Sequence, residues 1–201
     1  MTASAELPLS GIRVIDHGHV WAGPLLGMSL ADMGAEVIKI QSPTGISGVS
    51  MSGQNSSVST LQQAENADTI NYHTLDRGKK SLTLNLKTVD GKEIYKRLIK
   101  LTDVVVENFS YGTMESLGFD YRVLKEINPK IIVASLSAAG TSLGPWSELV
   151  SYGPSISALY GAKSLLGYHD SDQPVEDPAD LDPTAAGHAF IAVLAALEMR
   201  D

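Results

Sequence analysis

Two short apolar runs, Ile12-Arg13-Val14-Ile15 and Val37-Ile38-Lys39-Ile40, stand one helix length apart near the start of the chain. The segment between them carries its own start and stop marks. Pro24 suits the first turn of a helix, where its missing N–H leaves nothing unpaired. Gly34 suits the position just past the helix end. Leu25, Met28, Leu30 and Met33 supply an apolar side. Two buried strands joined by one helix run parallel, with a right-handed crossover. This strand–helix–strand unit constrains the fold more than any other feature.

The alternation continues downstream. Ser81 to Leu86 alternates like a strand, and Val104 to Val106 and Ile131 to Ser135 read as buried strands. Asp90 to Leu101 places Ile94, Leu98 and Leu101 on one helical face, with Tyr95 and Ile99 beside it. Tyr121 to Ile127 reads as a helix that stops before Pro129, and Ser155 to Lys163 and Pro183 to Arg200 read as two more. The expected architecture is an α/β, Rossmann-like open sheet, mainly parallel and flanked by helices. Parallel strands are expected near 12–16, 37–40, 104–107 and 131–135. Residues 42–70 are rich in Ser, Gly, Asn, Gln and Thr and read as a flexible loop.

Composition narrows the function classes. A length of 201 residues with 43% hydrophobic content supports one sizeable domain. Nothing approaches eighteen consecutive apolar residues, so no transmembrane helix and no membrane partner are expected. The N-terminus lacks a basic region followed by an apolar run, which makes the cytoplasm the expected compartment. The absence of cysteine removes disulfides, thiolate zinc sites and thiol nucleophiles together. A net charge of −8 repels nucleic acid. A local cluster can still bind a small polyanion, and Arg77-Gly78-Lys79-Lys80 is the best one.

Individual motifs each have a plain structural reading. Gly18-His19-Val20-Trp21-Ala22-Gly23-Pro24 follows the first strand, at the end of a parallel sheet where ligands bind. It lacks Gly-x-Gly-x-x-Gly, and on spacing alone it reads as a structural turn. Arg77 to Ser81 is no phosphate-binding loop of the Walker type. Position 73 is His rather than Gly, and a strand follows rather than a helix. None of the five histidines, His17, His19, His73, His169 and His188, has the i, i+4 spacing of a zinc site, so no metal is expected. Asp182-Pro183 is a good helix start, with Asp as N-cap and Pro at the first helical position. The same amides that suit a cap also stabilise a carboxylate nucleophile as its anion, so the two roles are compatible. Asp170, Asp172, Glu176, Asp177 and Asp180 precede it, and an acidic loop is a third reading.

Taken in order, the motifs resemble the family III (CaiB/BaiF) CoA-transferases, the group that includes formyl-CoA transferase. The resemblance rests on Gly11-Ile12-Arg13-Val14-Ile15-Asp16, Ala22-Gly23-Pro24 and Leu30 to Lys39. It continues through Arg77-Gly78-Lys79-Lys80-Ser81-Leu82, Asp103 to Phe109, Leu117 to Tyr121, Asn128-Pro129 and Gly144-Pro145. The resemblance implies transfer of CoA between an acyl-CoA and a carboxylic acid through an aspartyl-CoA thioester, with CoA as substrate and no metal. It implies Asp182 as the nucleophile, twelve residues before Leu194-Ala195-Ala196-Leu197, in preference to Asp180. It implies CoA contacts from Trp21, Ala22, Arg77, Lys79, Lys80, Leu82, Asn108 and Phe109.

Relatives of this family include α-methylacyl-CoA racemases, whose histidine position corresponds to Tyr152. A tyrosine there favours transfer over epimerisation. A racemase-like epimerase and a non-catalytic subunit or inactive fragment are the alternatives. Trp21, Ser42, Tyr111 and Ser116 depart from the transferase pattern, which weakens formyl-CoA and oxalate as implied substrates. Family members are much longer. The resemblance therefore implies that residues 1–201 are the first part of a large CoA-binding domain, without the small domain and the C-terminal return segment. It also implies interlocked dimers of full-length chains, homodimeric or heterodimeric.

Overall fold

The computed structural model describes residues 6–43, 74–138, 140, 144–147, 149–170 and 181–200. The expected loop at 42–70 falls outside them from residue 44 onward, as do Asp172, Glu176, Asp177 and Asp180.

Five strands form one sheet: β1 (Arg13–Asp16), β2 (Glu36–Gln41), β3 (Lys80–Thr83), β4 (Val104–Glu107) and β5 (Ile132–Ser135). Their order is β3-β2-β1-β4-β5, and every neighbouring pair is parallel. The expected parallel strands are all present, as is the strand read from Ser81 onward. The helices are α1 (Ala22–Asp32), α2 (Val89–Ile99), α3 (Thr113–Leu117), α4 (Tyr121–Ile127), α5 (Gly153–Leu159) and α6 (Leu181–Arg200).

Each central strand divides its side chains between two cores. Val14, Val37, Val104 and Val106 face α1 and α6, where they pack with Leu26, Leu30, Val193 and Leu197. Ile15, Ile40 and Val105 face the opposite side, with Tyr95, Ile99, Phe119 and Leu124. The alternation follows from the pleat, which sends successive side chains to opposite faces. Burial on both faces explains why these strands read as continuous apolar runs.

Two helix readings need correction. The buried residues of α2 are Gly91, Tyr95 and Ile99, whereas Ile94 is 44% and Leu101 64% exposed. Leu98 packs against the same core, so the inward side is centred on Tyr95 and Ile99, the residues read as lying beside the stripe. Thr88 starts the helix by accepting the Gly91 N–H at 3.1 Å. A Cβ on Gly91 would meet the Asn85 carbonyl at 1.9 Å, so only glycine lets the first turn of α2 pack against the segment that follows β3. The segment read as a helix over Ser155 to Lys163 is α5 followed by a separate 3₁₀ turn, Ala162–Leu165. Gly161, at φ +84°, separates them.

Candidate active site

The turn after β1 is built by close backbone contact. A Cβ on Gly18 would lie 2.4 Å from the Gly23 carbonyl carbon, and one on Gly23 would lie 2.6 Å from the Gly18 Cα. Two glycines back to back close the turn, and side chains hold it from outside. Asn108, just past β4, accepts the His19 N–H at 2.7 Å and donates to the His19 carbonyl at 2.8 Å. Between His19 and Trp21, Val20 is forced to φ +61°, an unusual conformation for a β-branched residue. Such strain collects at functional sites.

Asp182 sits opposite this turn. It was expected as the N-cap of the last helix, but that helix already includes Leu181, and Asp182 lies in its first turn. The amides that hold its carboxylate come from elsewhere in the chain: Ala22, the first residue of α1, and Gly153, the first residue of α5. Gly153 packs so closely that an added Cβ would lie 3.0 Å from Asp182 Oδ2. The first turns of three helices thus converge on one carboxylate, each offering positive partial charge. Burial nevertheless dominates and raises the Asp182 pKa above the usual carboxylate value, with the two amides opposing the rise. The two amides favour the ionised form, as its helix-start position implied, while the half-buried surroundings make the carboxylate more basic than an exposed one.

Asp182, Ala22, Asn108, Phe109 and Tyr152 line one cavity of about 690 Å³. Its described lining residues include no Lys or Arg. His19 lines it too, and burial lowers the pKa of that imidazole, favouring the neutral form. A second cavity, of about 360 Å³, shares Phe109, Ser110, Ser135 and Ser137 with the first. Glu107 lies in its wall, and burial raises its pKa against hydrogen bonds from Ser135 and from the Phe109 amide, 2.8 Å away.

The remaining expected CoA contacts, Trp21, Arg77, Lys79, Lys80 and Leu82, are not among the described residues lining either cavity. Trp21 is the residue preceding α1, and Leu82 packs against the core on the α2 side of the sheet. Lys79 is a correction. Its side chain is 1% exposed, and its Nζ lies 2.7 Å from Asp16 and 2.8 Å from Asp76, with a further bond to the Pro24 carbonyl at 2.8 Å. It is committed to the interior and unavailable to a phosphate. Arg77 pairs with Asp32, and Lys80 with Glu36, both at the surface.

Lys79 belongs to a group that the sequence reading missed. Lys39 joins Asp16, Asp76 and Lys79 beneath the turn and donates to the Gly18 carbonyl. Burial disfavours the charge on Asp16, but Lys39, Lys79 and the Gly18 amide outweigh it and hold its pKa below the ordinary value. The available signal was a charged residue inside each of two apolar strands, Asp16 and Lys39, which needs a partner when buried. Among the described residues, no group of three or more His, Asp or Glu is placed to hold a metal ion.

The family model for CoA-transferase family III matches residues 9–201. The chain belongs to family III of the CoA-transferases. It is 36% identical over 194 residues to the formyl-CoA:oxalate CoA-transferase of Streptomyces avermitilis, covering 96% of this chain and 44% of that protein. It is likewise 36% identical over 190 residues to the succinate–glutarate CoA-transferase of Agrobacterium fabrum, covering 94% and 47%. Among solved structures, a CaiB/BaiF family protein from Brucella suis superposes with a TM-score of 0.81 at 33% identity, over 97% of this chain and 50% of that one. A hypothetical protein from Mycobacterium tuberculosis superposes with a TM-score of 0.77 at 34% identity, over 96% and 51%. The chain spans about half the length of the relatives it matches. Among the described residues, no helix of this family III chain is long and apolar enough to cross a membrane.

Proposed function

We propose that this chain carries the nucleophile of a CoA-transferase that moves CoA between an acyl-CoA and a carboxylic acid. The observation that supports it is the setting of Asp182: a half-buried carboxylate made more basic by burial, held by two amides, in the wall of a cavity of about 690 Å³. A more basic carboxylate is a better nucleophile, and the amides hold it in place without neutralising it.

In this reading an Asp182 oxygen attacks the thioester carbonyl, the C–S bond breaks, and CoA leaves as thiolate. The thiolate then attacks the Asp182 carbonyl carbon of the mixed anhydride. That step releases the first acid as its carboxylate and leaves an aspartyl-CoA thioester. The acceptor carboxylate attacks this thioester and expels the thiolate, which adds to the acceptor's acyl carbon and frees Asp182. A cavity without described cations suits the thioester end of the substrate. The CoA phosphates lie outside it, where Arg77 and Lys80, with side chains 53% and 70% exposed, are the reachable members of the basic run. Phe109 would contact CoA from the shared wall of the two cavities, Asn108 from the wall of the larger one, and Tyr152 would close the side next to Gly153.

The two relatives named for oxalate and for glutarate match equally well, so the acceptor is proposed as a class, a carboxylic acid. Residues 1–201 correspond in this reading to the first part of the large CoA-binding domain. The complete enzyme would be a dimer of longer chains, and its compartment the cytoplasm.

The test is Asp182→Asn in a full-length enzyme carrying this segment. Asn is nearly isosteric but cannot form the anhydride. CoA exchange should fall by at least about a thousandfold while CoA binding persists. Hydroxylamine trapping of acyl-CoA-treated wild type should label Asp182 on mass spectrometry. Normal exchange by the variant, or a label on Asp180, would overturn the assignment.

A further inference from the structure

The buried charges under the turn after β1 take no part in the chemistry described above. Lys39 and Lys79 are both almost fully buried, with side chains 8% and 1% exposed. Burying two ammonium groups is costly unless each is paired and hydrogen-bonded. Their pairing with Asp16 and Asp76 meets the first need. The second is met by main-chain carbonyls at the two ends of one turn. Lys39 Nζ donates to the Gly18 carbonyl, and Lys79 Nζ donates to the Pro24 carbonyl at 2.8 Å. Asp16 completes the entry side by accepting the Gly18 N–H at 2.6 Å. The middle is gripped independently by Asn108, through both backbone groups of His19. Entry, middle and exit of the turn 18–24 are therefore held by four side chains, from β1, β2, the β4 end and the segment before β3. The turn's own conformation is strained at Val20 and would not persist unaided. What the turn presents to the cavity is the amide of Ala22, aimed at Asp182.

We propose that Lys39, Lys79 and Asn108 are positioning residues for Asp182, holding the 18–24 turn so that the Ala22 amide stays on the carboxylate. The inference rests on Asp182 being the reacting group only for its catalytic meaning; the geometry stands without it. The chief consequence concerns Asp182 itself. Its perturbation comes from burial and the two amides, and from no charged side chain among the described residues. The other titratable groups lining its cavity are His19 and Tyr152. Removing the Lys79 charge therefore reaches Asp182 through the turn and not through direct electrostatics.

The experiment is carbon-13 NMR titration of the Asp182 carboxyl carbon in a full-length enzyme carrying this segment, assigned by its loss in Asp182→Asn, together with the Ala22 amide proton shift. Lys79→Met keeps the length of the side chain and removes its donors. It should move the Asp182 midpoint upward and shift the Ala22 amide proton upfield, because the amide that stabilised the anion is no longer held. Asn108→Ala, at a part-buried position with less at stake for folding, should do the same, and Asn108→Asp should recover part of the shift by still accepting the His19 N–H. If Lys79→Met does not fold, the two Asn108 variants decide. A folded variant whose Asp182 midpoint and Ala22 amide match the wild type would overturn the positioning role. That outcome is separate from failure of the transferase reading, which is judged on Asp182→Asn exchange alone.

Discussion

His17 shows how a single residue can report on the whole interior. It follows Asp16 at the end of β1, is 3% exposed, and bonds the Tyr95 hydroxyl through Nε2 at 2.8 Å. Burial lowers its pKa to about 3, with Asp16 partly opposing the shift. The sign follows directly. The unfolded chain protonates this imidazole near the ordinary value while the native state resists, so stability falls as pH drops below about 6.5 towards 3. The loss should approach roughly 1.4 kcal/mol per pH unit across that window. Urea unfolding at pH 7, 6, 5 and 4 checks it, and His17→Gln should flatten the slope. An equally steep slope in that variant would assign the loss to other groups. The histidine's identity was visible in the sequence, but its burial was not, since an isolated His beside a strand end reads equally well as exposed.

At the scale of the element, α2 separates what periodicity can and cannot establish. The helix itself was legible, because apolar residues recur at three and four over eleven residues. Its inward face was not. Ile94, Leu98 and Leu101 form as regular a stripe as Gly91, Tyr95 and Ile99, and a glycine carries no hydrophobic signal. The close approach at Gly91 and the Tyr95–His17 bond decide the rotation. Tyr95→Ala should therefore cost about 3–5 kcal/mol. Leu101→Ala should stay within about 0.5 kcal/mol, as expected of an exposed site. Thr88→Ala, removing the cap, should cost about 1 kcal/mol. Chemical denaturation ranks the three. A Leu101 effect as large as that of Tyr95 would return the face to the original reading.

For the molecule as a whole, the candidate site is a place where stability is given up. A half-buried carboxylate sits between three helix starts, and its raised pKa means that the fold disfavours its charge. Asp182→Asn removes that charge. The variant should melt at a higher temperature than the wild type at neutral pH, and the difference should vanish in acid once both side chains are uncharged. Thermal melts of both chains at pH 7 and at pH 3 check the prediction; a variant less stable than the wild type at pH 7 would show that the carboxylate is a net structural anchor.

Local sequence was sufficient for the strands, for their parallel direction, and for membership of family III through the order of its motifs. These features depend on side-chain period, on Pro24 and Gly34 as punctuation, and on the order of short motifs, all of which are read along the chain. The tertiary structure alone decided where charges find their partners. Lys79 meets Asp16 from 63 residues away, Asn108 reaches His19 from 89, and the amides on Asp182 come from the starts of two other helices. Hydrogen bonds and ion pairs act over a few ångströms in space and are indifferent to separation along the chain. A cluster such as Arg77-Gly78-Lys79-Lys80 therefore looks like one basic site in sequence, while the fold sends one lysine inward and leaves its neighbours at the surface.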